Sequence, residues 1–245
     1  MTIASLAMYP FSQLRSTYDE LWDNVRARLS FAAPSLDWDV EPDVACRRVD
    51  LVLGQTCGWP LVKHLAETVR VVGTFDCDVP DAVDGTYCSL LVSSVDDLLP
   101  NILRRADLRV AANSADSLSG WISLQSVAAS HGAALNEVEW TGSHAASIEA
   151  LRDGRCHLAA IDAVSWAHLG GPGLSVVGSG PRIPCLPLVT AASSTDAVLG
   201  ELRAALRSAV SDPALATARD TLKIRAFVER DLADYGRVSA LVQLG

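Results

Sequence analysis

Apolar positions along this chain follow two rhythms, short continuous runs and positions three and four residues apart. The runs at 3–8, 49–53, 69–75, 87–93, 108–112, 135–140, 156–161, 174–177 and 186–191 read as strands, and 38–40 as a short further one. Helical spacing fills the intervals. Leu14, Tyr18, Leu21, Trp22, Val25 and Leu29 follow Ser12 as an N-cap, and Leu61 and Leu65 follow Pro60 at a first helical position. Leu124, Val127, Ala128 and His131 mark a helix closed by Gly132, and Ala145, Ile148 and Leu151 one stopped by Gly154. Short helices are expected at 95–105 and 164–169. Val198, Leu199, Leu202 and Leu206 mark a longer one, Asp212-Pro213 opens another, and the chain from Thr221 to its end reads as helical. Such alternation predicts an α/β fold with mainly parallel strands.

Extended connections near 87–93 and 185–191 bracket a block with its own strands and helices. That pattern predicts an inserted lobe at 89–189, with 1–88 plus 190–245 as lobe one, two hinge crossovers and a ligand cleft between the lobes.

Composition narrows the partners. Of 245 residues, 49% are hydrophobic and 20% charged, as in ordinary globular proteins, and the net charge of −9 argues against a nucleic-acid partner. It does not argue against a small anion, because a local array of N–H donors outweighs distant charge. No apolar run approaches the roughly 20 residues that span a bilayer, so no direct membrane insertion is expected. The N-terminus has no basic region or cleavage site, which reads as cytoplasmic, or as periplasmic or cell-surface if a leader was removed. The six cysteines show no C-x-x-C and no metal spacing with histidine, so neither a metal nor a cofactor is expected.

Ligands of open α/β sheets bind beyond the carboxyl ends of strands. Those ends are Tyr9, Gln55-Thr56, Asn113 to Gly120, Thr141 to His144 and Asp162. In the stretch Asn113-Ser114-Ala115-Asp116-Ser117-Leu118-Ser119-Gly120-Trp121, Ser117 and Ser119 add hydroxyls to the amides of a helix start. Taken alone, it is accounted for by an empty N-cap loop.

These segments together, with Trp140-Thr141-Gly142-Ser143-His144-Ala145-Ala146-Ser147-Ile148, Ala159-Ala160-Ile161-Asp162 and Gln55-Thr56-Cys57-Gly58-Trp59-Pro60, resemble the phosphate, phosphite and phosphonate substrate-binding proteins of ABC transporters. The resemblance implies a type 2 periplasmic-binding-protein fold that closes on a small oxyanion, with an ABC permease as partner. It implies that Asn113, Ser117 and Ser119, with the Leu118 and Gly120 amides, hold the oxyanion, and that Ser143 and His144 add donors. Tyr9, Gln55 and Thr56 would close from lobe one, and Asp162 would meet an amino group on the ligand. Leu118 departs from the family pattern, which often has a hydroxyl residue there, and the family's usual leader or lipid anchor is not seen. His144 and Asp162 also read as plain helix caps, and Tyr9 as core. No catalytic set is identified, since only His144, Asp162 and Cys57 offer reactive groups. A cytoplasmic enzyme on a small metabolite, or a sensor that binds a partner protein, are the alternatives.

Overall fold

The computed structural model describes residues 2–243, which form two compact units. Unit 1 holds residues 2–78, 82–86 and 184–236; unit 2 holds 79–81, 87–183 and the chain from Arg237. In unit 1 the chain runs β1 (Ile3–Ser5), α1 (Ser12–Arg26), α2 (Pro42–Cys46), β2 (Leu51–Gln55), α3 (Gly58–Pro60) with a π-helical turn at Leu61–Leu65, and β3 (Val69–Cys77). Unit 2 takes over with β4 (Thr86–Ser93), α4 (Leu99–Leu103), β5 (Arg109–Ala112), a π-helical turn at Leu118–Ile122 and α5 (Ser123–Ser130). There follow β6 (Glu137–Trp140), α6 (His144–Arg152), β7 (Leu158–Ile161), α7 (Ala163–Leu169) and β8 (Ser175–Pro184). Unit 1 resumes with β9 (Pro187–Ala191), α8 (Asp196–Ser211), α9 (Ala216–Leu222) and β10 (Ile224–Val228), and α10 (Arg237–Gln243) belongs with unit 2.

Each unit is built on one five-stranded sheet. The order in unit 1 is β1-β2-β9-β3-β10, with β1 and β2 parallel and the other neighbours antiparallel. The amphipathic α1 buries Leu14, Tyr18, Leu21, Trp22 and Val25 and packs against α8 and α9. In unit 2 the order is β6-β5-β7-β4-β8. There β5 lies parallel to both β6 and β7, while β4 is antiparallel to β7. Alternation along β5 sends Val110 into a core with Leu124, Ile102 and Leu158, and Ala111 into a second core with Ile148, Leu151 and Ile161. Both faces of this sheet are therefore covered, and its three adjacent parallel strands end on one edge.

Several expectations need correcting. The sheets are mixed rather than mainly parallel, because the returning strands β9, β10 and β4 run against their neighbours. Residues 38–40 form no strand: the Asp37 carboxylate accepts the Asp39 and Val40 N–H groups at 3.0 and 3.1 Å, a turn that ends extended structure. Ser12 is the first residue of α1 instead of its cap, which is Phe11, and Pro60 is the last residue of α3. The stretch from Thr221 is not one helix. Lys223, at φ 57°, ends α9 in the left-handed region, and β10 then pairs with β3. Val238, Leu241 and Val242 do lie in a helix, the short α10.

Candidate functional site

The parallel strands β5, β6 and β7 each lead directly into a helix start. Beyond β5, Ser117 caps the π-helical turn, its Oγ accepting the Gly120 N–H at 3.0 Å. The Ile122 N–H reaches back five residues to the Ser117 carbonyl at 3.0 Å, and Ser123 Oγ donates to the Leu118 carbonyl at 2.7 Å. That register widens the turn, a distortion frequent at functional sites. Gly120 has to be glycine: an added Cβ would overlap Asn113 Oδ1 and lie 2.9 Å from Ser117 Oγ. Leu118 turns its side chain into the core, 1% exposed, so this position contributes a backbone amide at most.

Past the end of β6, the Thr141 and Gly142 N–H groups continue the ladder to the carbonyls of Ala112 and Asn113, at 2.9 and 3.0 Å. This holds the two loops together. Ser143 then caps α6, its Oγ accepting the Ala146 N–H at 3.1 Å. His144, first residue of α6, places Nε2 3.0 Å from Ser119 Oγ. Its Nδ1 is buried without a hydrogen-bond partner, as is Asn113 Oδ1. Burial pushes the His144 imidazole below its ordinary value, and the charge of Asp162 acts in the opposite sense. Asp162, at the end of β7, caps α7 by accepting the Ser165 N–H at 2.9 Å through Oδ1. Its Oδ2 accepts the Tyr87 hydroxyl at 2.5 Å.

Asn113, Ser117, Leu118, Ser119, Gly120, Ser143, His144 and Asp162 thus all follow adjacent strands of one sheet. Tyr9, Gln55 and Thr56 belong to unit 1. Tyr9 is buried, with its ring 6.3 Å from that of Phe11. Gln55 ends β2 and keeps a buried Oε1 without a partner, and the Thr56 N–H donates to the Pro187 carbonyl at 3.1 Å. Sequence reasoning missed Tyr87, 75 residues from its acidic partner, and Ser5, whose Oγ is also buried and unpartnered. A serine inside an apolar strand gives no local sign of either. Among the described residues, no cluster of His, Cys, Asp and Glu could hold a metal ion, and no helix is long and apolar enough to cross a membrane.

Two sheets, each flanked by helices, and polar helix starts at one edge of a parallel strand triplet define a type 2 periplasmic-binding-protein fold. The chain belongs to the periplasmic substrate-binding proteins of ABC phosphonate transporters, whose family model matches residues 48–235. No curated protein matches it in sequence. Among solved structures it is similar to PhnD1 of Prochlorococcus marinus MIT 9301 in complex with methylphosphonate, at TM-score 0.76 and 14% identity, over 99% of this chain and 95% of that one. It is similar to PA3383 of Pseudomonas aeruginosa, a binding-protein component of an ABC phosphonate transporter, at TM-score 0.75 and 16% identity, over 98% and 84%. XAC2383 of Xanthomonas citri bound to ATP follows at TM-score 0.65 and 15% identity, over 100% and 96%.

Proposed function

We propose that this protein binds a small tetrahedral oxyanion, a phosphonate, phosphite or phosphate, at the carboxyl ends of β5 and β6, and delivers it to an ABC permease without chemical change. The observation that carries the reading is the meeting of Ser119 and His144 at 3.0 Å, across two strand ends, beside the Ser117-capped start of the π-helical turn. Ser117 already accepts from Gly120, which leaves its hydroxyl proton for a ligand oxygen. With His144 donating through Nε2, the Ser119 proton is directed at the ligand in the same way.

In unit 1, the Gln55 Oε1 at the end of β2 is buried without a partner. The permease follows from the family alone. The test is calorimetric titration of protein purified without phosphate, using methylphosphonate, phosphite and phosphate. At least one should bind in a saturable way, with affinity lost in Ser119→Ala. A panel in which no oxyanion binds or raises the melting temperature would overturn the reading.

A further inference from the structure

Ser119 and His144 stand on two backbone segments that hydrogen bonding joins unevenly. Past β6, the Thr141 and Gly142 N–H groups bind the loop to Ala112 and Asn113 at the end of β5. Ser119 lies farther along, in the π-helical turn, where the bonds of Ser117, Ile122 and Ser123 described above run within the turn itself. Two indole rings reach across from one segment to the other. Trp121, just past Ser119 and Gly120, meets Trp140, the last residue of β6, with ring centroids 5.2 Å apart and planes at 68°. Edge-to-face contact is a favoured geometry of aromatic quadrupoles, so it constrains orientation as well as distance.

Each ring is steadied on its own side. Trp121 is half-buried and packs on the core of Val110, Ile102 and Leu124. Val138 of β6 packs on that same core, and strand alternation puts Trp140 on the face of Val138. As β6 is the outermost strand of its sheet, Trp140 remains 52% exposed. Its replacement therefore leaves the buried core in place, and its effect on the site is separable from unfolding.

Resting on the oxyanion reading, we propose that Trp121 and Trp140 are positioning residues, whose edge-to-face contact fixes the π-helical turn against the end of β6 and so holds Ser119 at His144. The pair acts through these two donors and not by touching the ligand. Donors already in place need no ordering when the oxyanion arrives, and donors set loose must be ordered at the expense of affinity.

The experiment titrates the whole protein with methylphosphonate, phosphite and phosphate, in wild type, Trp140→Leu and Trp140→Phe, each with and without Ser119→Ala. Trp140→Leu keeps an apolar side chain without a ring, and should weaken binding about three- to tenfold. Trp140→Phe keeps a ring edge for Trp121 and should restore affinity to within about twofold of wild type. In Trp140→Leu, the further loss on Ser119→Ala should be smaller than in wild type by at least about threefold, because a displaced hydroxyl has less to lose. General loosening of the fold would leave the two losses additive. Trp140→Val, suited to a strand, is the second variant should Trp140→Leu not melt cooperatively, with the same expected outcome. Wild-type affinity in Trp140→Leu, equal weakening in Trp140→Leu and Trp140→Phe, or additive losses with Ser119→Ala would each overturn the inference while leaving the oxyanion reading intact. Failure of every oxyanion to bind wild type would overturn both readings together.

Discussion

Ser119 and His144 set the chemistry at the residue scale, because one hydroxyl and one imidazole from different strand ends share a hydrogen bond. Replacing Ser119 by alanine removes a donor to a charged ligand, a contact worth about 1.5–3 kcal/mol. Calorimetry should show affinity falling about 10- to 100-fold by the usual conversion. Gly120→Ala should be costlier to the fold, since its Cβ would displace both Asn113 and the Ser117 cap. We expect about 1–3 kcal/mol of lost stability, read as a lower urea midpoint. His144 also gives stability a pH dependence. Its folded value lies below the ordinary 6.5, through burial first and despite the opposing charge of Asp162. The unfolded chain therefore takes up this proton before the folded one does. The favourable contribution is full above 6.5 and is lost as pH falls from there toward the folded value. His157, shifted in the same sense by burial, is common to both proteins in a comparison with His144→Gln. Urea midpoints should consequently fall more steeply for wild type than for His144→Gln between neutral pH and the acid side of 6.5. Parallel curves would refute this assignment of the titrating group.

At the scale of elements, β10 and α10 carry consequences that local patterning hides. Gly73 of β3 lies against β10 so closely that an added Cβ would sit 2.5 Å from the Val228 carbonyl and 2.6 Å from the Phe227 ring. Gly73→Ala should part these strands and lower the melting temperature, because neither a backbone carbonyl nor a packed ring can withdraw. A melting temperature equal to wild type would mean that β10 does not pair as described. The helix α10 packs against α5 and against the π-helical turn that carries Ser119. Removing the chain from Arg237 onward should therefore weaken oxyanion binding although no predicted ligand contact is deleted. The same titration checks this, and full affinity in the shortened protein would show that the turn is held without α10.

For the molecule as a whole, the net charge of −9 makes anion binding depend on local donors instead of a basic surface. Affinity for methylphosphonate should then change by no more than about threefold between low and high sodium chloride, where attraction to exposed cations would be screened away. A steep loss of affinity with salt would point to surface arginines as the binding groups. A ligand held at about 100 times its Kd should raise stability by about 2.7 kcal/mol, visible as a higher melting temperature.

How far the chain could be read from its letters follows the range of each interaction. Ser117, Ser143 and Asp162 are recognisable as caps because a cap bonds to an amide three residues away, within one stretch of sequence. The α/β alternation and the buried stripe of α1 were legible for the same reason, since burial repeats at the period of the element itself. The direction of the returning strands was not, because antiparallel and parallel neighbours present the same apolar run. The strand β10 escaped notice because its partner β3 is about 150 residues away, and pairing, not propensity, makes it extended. Most consequential is the span between Tyr87 and Asp162, 75 residues of chain that the fold reduces to 2.5 Å. Sequence supplied the acidic residue at a strand end; folding supplied the donor that occupies it, because only packing of β4 beside β7 brings the two together.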